Sequence, residues 1–322
     1  PRNRTPAAYR RFPARGHADR RVHASRARGA HARLCALPQH GSTVGDAGGT
    51  NVGNSTIAAW LQRWWQRVRG PVDASGRRLR RPSVRRYGRY AALQFTRSQT
   101  QSRMLADDPD HLLIDYTRTM LAALLWAPAR PRIGMVGLGG GSQVKFIHRH
   151  FPEATLEVVE NNPWVVGLRR EFGIPDDDAR LRVEVDDGAA FVAARPGRYD
   201  VLLVDGYDET GIPPVLSTRQ FYADCHAALL PGGALSVNLF AAGADAHVEH
   251  LRAVFGAERV LVVEESRMRN QIAFAWRGPL PGPDRAAGLM ANREPAAIAQ
   301  LQPVLDRVAA ALAAHPGTET PG

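Results

Sequence analysis

The chain has 322 residues, 44% of them apolar, which is enough to pack one large or two ordinary domains and excludes a wholly disordered protein. No run of 18 apolar residues is present, which excludes a membrane-spanning helix, and Cys35 and Cys225 lie too far apart for a zinc or disulfide pattern, so both thiols are expected to be free. The net charge of +11 is concentrated at one end: residues 1–90 hold 20 arginines against three acids, the remainder 22 basic groups against 28 acidic ones, so a nucleic-acid partner is not expected.

Residues 1–52 are rich in Arg, Ala, Gly and His and carry no helical or strand period, so disorder is expected there. Their text also fits translation from upstream of a native start in GC-rich DNA. Within 53–89, a basic linker, the stretch IAAWLQRWWQRVR (57–69) puts Ile57, Trp60, Leu61, Trp64, Trp65 and Val68 on one helical stripe. A helix docked on the domain is expected, with a membrane-surface helix as the other reading. The stretches YAALQF (90–95) and HLLIDY (111–116), separated by DDPD, predict two strands of a small β-ribbon, and a helix follows over 117–126, closing a module at 90–126.

From residue 127 to 278 strands and helices alternate. Strands are predicted at 133–137, 155–160, 181–185, 199–205, 234–240, 259–264 and 271–276, with helices at 142–151, 163–172, 188–195, 217–230 and 245–255. This order predicts an α/β fold with a doubly wound, mainly parallel seven-stranded sheet, whose last two strands pair as an antiparallel hairpin at one edge. A Pro/Gly linker and a final helix near 294–313 complete residues 279–322.

Chemistry gathers at the strand ends. GLGGGS (137–142) supplies Gly137, Gly139, Gly140, Gly141 and Ser142, a turn that lets a ligand approach the backbone at a helix start. Glu160 follows Gly139 by 21 residues, the spacing of a carboxylate that accepts ribose hydroxyls. Asp187 before Gly188 fits a helix cap, an adenine contact, or both. In DVLLVDGYDETGIPP (200–214) a fully apolar strand runs into Asp205, Asp208 and Glu209; a crevice holding so many acids calls for a cationic substrate. Tyr116, Tyr207 and Tyr222 are candidates to orient it, and His247 and His250, one turn apart, read as surface histidines.

GLGGGS, VVENNPWVV, DDGAAF, YDVLLVDGYDETGIPP, FYADC and LLPGG, in this order, resemble the polyamine aminopropyltransferases, the spermidine synthase family, over roughly residues 88–277, and especially its bacterial spermidine-synthase-like branch. The resemblance implies a Rossmann-like sheet of the S-adenosylmethionine-methyltransferase type and transfer of an aminopropyl group from decarboxylated S-adenosylmethionine to an amine such as putrescine, releasing methylthioadenosine. It implies that Asp205 acts on the attacking amine, that Asp208 helps hold the amine substrate, that Glu160 binds the ribose, and that Asp187 with Gly188 binds the adenine. No metal is expected, since a sulfonium is already a good leaving group. The expected setting is a soluble cytoplasmic enzyme with a small-molecule amine as partner and a homodimer as an open question.

Three places depart from the family pattern: Ser142 stands where an aspartate usually faces the donor's amine, Thr117-Arg118 follows Tyr116 where a carboxylate usually greets the diamine, and Glu209-Thr210 changes the loop after Asp208. Two other readings therefore stay open, a methyltransferase that uses intact S-adenosylmethionine and a catalytically silent nucleoside-binding protein.

Overall fold

The computed structural model describes residues 70–315 apart from 97–98, 209–210, 241–242 and 266–268. The arginine-rich segment, Cys35, the 57–69 stripe and Glu209 lie outside the described residues.

Seven strands form the main sheet: β4 (Arg132–Val136), β5 (Thr155–Glu160), β6 (Leu181–Val185), β7 (Tyr199–Val204), β8 (Leu229–Phe240), β9 (Val260–Glu264) and β10 (Asn270–Trp276). Their spatial order is β6-β5-β4-β7-β8-β10-β9. The first five are mutually parallel, while β10 runs antiparallel between β8 and β9. Central strands are apolar on both faces because both are covered: Val201 and Leu203 of β7 enter one core, Leu202 and Val204 the other. The order reverses between β4 and β7, and a crevice opens beyond the carboxyl ends of strands at such a point.

The helices that bear on the site follow directly from the strand ends. They are α1 (Asp115–Met120), α2 (Ser142–His150), α3 (Pro163–Val166), α4 (Gly188–Ala193), α5 (Arg219–Ala228) and α6 (Ala244–Phe255). Beyond the sheet lie α7 (Arg285–Met290) and α8 (Pro295–Ala313), the latter burying Leu301, Leu305, Val308 and Leu312.

The N-terminal ribbon differs from the sequence expectation. It has three antiparallel strands, β1 (Ser83–Tyr87), β2 (Tyr90–Thr96) and β3 (Gln99–Leu105), so it starts upstream of residue 90. HLLIDY is no strand: Leu112 is buried in a loop with its N–H donating to Gln300 Oε1 (2.8 Å), and Asp115 opens α1, where an acid in the first turn is favoured. The strand that takes its place, QTQSRML, is polar, and over Thr100–Leu105 only Ser102, Met104 and Leu105 are buried.

Residues 71–79 make a tight hairpin within the stretch expected as a linker. Val72 bridges Arg78, Asp73 N–H donates to Arg77 O (2.8 Å), and Asp73 Oδ1 accepts from the N–H groups of Ser75 (3.0 Å) and Arg77 (2.9 Å). An aspartate that closes its own turn in this way fixes the hairpin tip.

Candidate active site

A cavity of about 800 Å³ lies beyond the carboxyl ends of β4, β5 and β7. Twelve of the residues singled out in the sequence line it: Tyr116, Gly137, Gly139, Gly140, Gly141, Ser142, Glu160, Asp187, Gly188, Asp205, Tyr207 and Asp208.

On one side stands the glycine turn. Gly137 has φ of +94°, and a Cβ there would lie 2.3 Å from Asp205 O, so only glycine lets the ends of β4 and β7 come this close. Gly141, at φ of +65°, is the residue from which α2 starts. Glu160 ends β5 with Oε2 accepting from Leu138 N–H (3.0 Å) and Oε1 from Asn162 N–H (3.0 Å). Burial pushes its carboxyl pKa up, and the amides of Leu138, Asn162, Gly139 and Asn161 pull against that shift. The carboxylate thus ties the glycine turn to the tip of β5.

Asp187 caps α4, its Oδ1 accepting from Ala189 N–H (3.0 Å) and Ala190 N–H (2.9 Å). Gly188 packs against Val136, whose Cγ1 would lie 2.6 Å from an added Cβ. Asn162, missed in the sequence, caps α3 by accepting from Trp164 N–H (3.0 Å) and donates to Arg80 O (2.8 Å).

Across the cavity, Asp205 leaves β7 with both oxygens engaged: Oδ1 accepts from Asn238 Nδ2 (2.8 Å) and Oδ2 from the Tyr116 hydroxyl (3.1 Å). Enclosure by protein pushes its carboxyl pKa up, and these two hydrogen bonds oppose the shift. Burial and the Asp205 charge raise the Tyr116 phenol well above its ordinary value, so it stays a hydrogen-bond donor. The Tyr207 hydroxyl donates to Asn238 O (3.1 Å), and burial first, then Asp205, raises its pKa.

Asn238 and Asn270 are site residues that sequence reasoning missed. Asn270 Nδ2 donates to Asn238 Oδ1 (2.8 Å), which turns the Asn238 amine toward Asp205. Their meeting depends on β10 pairing with β8, a register no local pattern reveals.

Asp208 pairs through Oδ2 with Arg77 Nη2, and its Oδ1 accepts from Gly211 N–H (3.1 Å). Gln101 Nε2 donates to Asp208 O (3.2 Å). Arg118 turns away from the cavity, donating to Leu112 O through Nε (2.8 Å) and Nη2 (2.6 Å), with Asp115 Oδ1 3.4 Å from Nη1. Its positive charge therefore does not face an incoming amine. Ser142 and Gln143 line the cavity next to the glycine turn, and Gln143 Nε2 donates to Thr117 O (3.1 Å).

His247 is not a surface histidine. It is buried, lines the cavity, and its Nδ1 lies 2.6 Å from the Tyr222 hydroxyl, because α6 packs its inner face on α5. Burial and His250 hold its pKa below the ordinary value. Tyr222 itself is fully buried and stands behind the cavity wall, as does the free thiol of Cys225, whose pKa burial raises.

Known proteins resemble this chain in sequence and in fold. The spermine/spermidine synthase domain matches residues 110–239. The polyamine aminopropyltransferase of Chromobacterium violaceum is 32% identical over 215 residues, covering 66% of this chain and 80% of that protein. Among solved structures, a probable spermidine synthase from Corynebacterium glutamicum superposes with a TM-score of 0.56 at 20% identity, covering 65% of this chain and 82% of that one. A spermidine synthase in complex with the transition-state analogue AdoDATO gives a TM-score of 0.51 at 19% identity, covering 70% and 81%. With the fold to match, and nearly a third of its residues shared over most of such a relative, the chain belongs to the family of the polyamine aminopropyltransferases and is a transferase.

Proposed function

We propose that the chain transfers the aminopropyl group of decarboxylated S-adenosylmethionine to an amine of a di- or polyamine such as putrescine, releasing methylthioadenosine. The observation that carries this reading is Asp205, held at the tip of β7 by Tyr116 and Asn238, in one cavity with Glu160 and Asp187. Residues 127–278 form the nucleoside-binding catalytic domain in this reading, with the ribbon as its wall on the acceptor side.

The residues present fit such a donor. Glu160 keeps acceptor capacity for the ribose hydroxyls beside its two hydrogen bonds from Leu138 and Asn162, since a carboxylate has about four lone-pair sites. Asp187 and the glycine turn take the adenine and the chain beyond the ribose. A protonated amine cannot attack carbon, so Asp205 accepts its proton, and a carboxyl pKa above the ordinary range makes it a better base for that step. The amine nitrogen then bonds to the propyl carbon, the carbon–sulfur bond breaks, and its electron pair neutralises the sulfonium as methylthioadenosine leaves. Tyr116 and Asn238 hold the carboxylate in line throughout.

Asp205→Asn is expected to lower methylthioadenosine formation about 10²- to 10⁴-fold while leaving methylthioadenosine binding unchanged. Turnover at the wild-type rate in this variant contradicts the assignment. The serine at position 142 favours one second reading, methyl transfer from intact S-adenosylmethionine, because no acid there repels the carboxylate that donor keeps. That reading predicts S-adenosylhomocysteine as the product.

A further inference from the structure

The family resemblance implies that Asp208 helps hold the amine substrate, which for a diamine seated at Asp205 means its second ammonium, yet Asp208 already holds a cation supplied by this chain. Arg77, at the tip of the 71–79 hairpin, pairs through Nη2 with Asp208 Oδ2, while its Nε lies 3.2 Å from Asp73 Oδ2. Asp73 also closes the hairpin turn, so the guanidinium sits on a braced element.

The same segment is fastened at the other side of the cavity. Asn162 Nδ2 donates to Arg80 O (2.8 Å), the Arg81 guanidinium lies 4.9 Å from the centre of the Trp164 ring, and Leu79 lines the cavity wall. Residues 77–81 therefore run from Asp208 to Asn162, both of which line the cavity. Three separate contacts of different kinds place them there: an ion pair, a hydrogen bond and a cation–π contact.

We infer that Arg77 is a specificity-determining residue for the acceptor, an internal competitor whose guanidinium takes the position at Asp208 that a diamine's second ammonium needs. The inference rests on the reading of Asp205 and Asp208 as the acceptor end. A diamine gains its second ion pair only against the like charge of Arg77, by sharing Asp208 with it or displacing it, whereas an amine with a single charge, seated at Asp205, leaves the pair untouched. The penalty falls on the second charge alone. Since a guanidinium stays charged at every working pH, the competition does not lapse as pH rises.

The test is calorimetric binding of 1,4-diaminobutane and of 1-aminobutane, each with methylthioadenosine present, to the full chain and to its Arg77→Ala and Arg77→Lys variants. Arg77→Ala is expected to tighten diaminobutane about fivefold, leave aminobutane within error, and lose that gain in Arg77→Lys, which keeps the charge. Unchanged or weaker diamine binding in Arg77→Ala, or an equal shift for both amines, overturns the inference. Unchanged thermal unfolding of both variants checks that the hairpin still folds. The binding comparison needs no turnover, so a chain that forms no methylthioadenosine would defeat the proposed reaction while the amine pair still decides the role of Arg77.

Discussion

Asp205 carries opposing demands, a pKa pushed up by its surroundings and two hydrogen bonds that pull it down. Because the carboxyl titrates above its ordinary range, the acid limb of kcat/KM is expected above the usual carboxylate value of about 3.9, with activity gained as pH rises and Asp205 loses its proton. Tyr116→Phe removes one bond to the charged form and is expected to move that limb further up while lowering kcat about tenfold or more. A limb that stays in place in Tyr116→Phe separates Tyr116 from the ionisation of Asp205. Asn270→Ala frees the Asn238 amide to rotate and is expected to shift the limb in the same direction by less. As residues of the cavity, Asp205 was legible in the sequence because it ends the apolar run Val201–Val204, and Glu160 because it follows Gly139 by 21 residues. Asn238 and Asn270 were not, since 32 residues separate them and only strand pairing joins them.

At the scale of elements, the parallel strands announced themselves as apolar runs because helices cover both faces of the sheet. The ribbon did not. Its third strand is polar, and HLLIDY mimics a strand while packing as a loop that leads into α1. The hairpin at 71–79 was equally hidden, as its arginines read as charge rather than as structure. The glycine turn was legible as a motif, but the reason for Gly137 emerges only from the neighbouring strand. Gly137→Ala brings a Cβ to 2.3 Å from Asp205 O at a φ of +94°, and is expected to cost about 2 kcal/mol or more of stability, read as a lower denaturant midpoint at constant slope. A variant of wild-type stability would show that β4 and β7 tolerate separation at their tips.

Over the whole molecule, charge is divided unevenly, with the excess of basic over acidic residues before residue 90 and the acids of the cavity beyond it. Among the described residues no helix is long and apolar enough to cross a membrane. The described residues that line the cavity run from Leu79 to Asn270, and removal of residues 1–52 is expected to leave kcat/KM and thermal unfolding within twofold and about 2 °C of the full chain. A large loss in that truncation would assign the basic segment a part in catalysis. The most direct measurement offers the purified protein putrescine with decarboxylated or intact S-adenosylmethionine and separates the nucleoside products. Methylthioadenosine formed with spermidine, from the decarboxylated donor alone and lost in Asp205→Asn, is the expected result; S-adenosylhomocysteine from the intact donor, or no product from either, would contradict aminopropyl transfer.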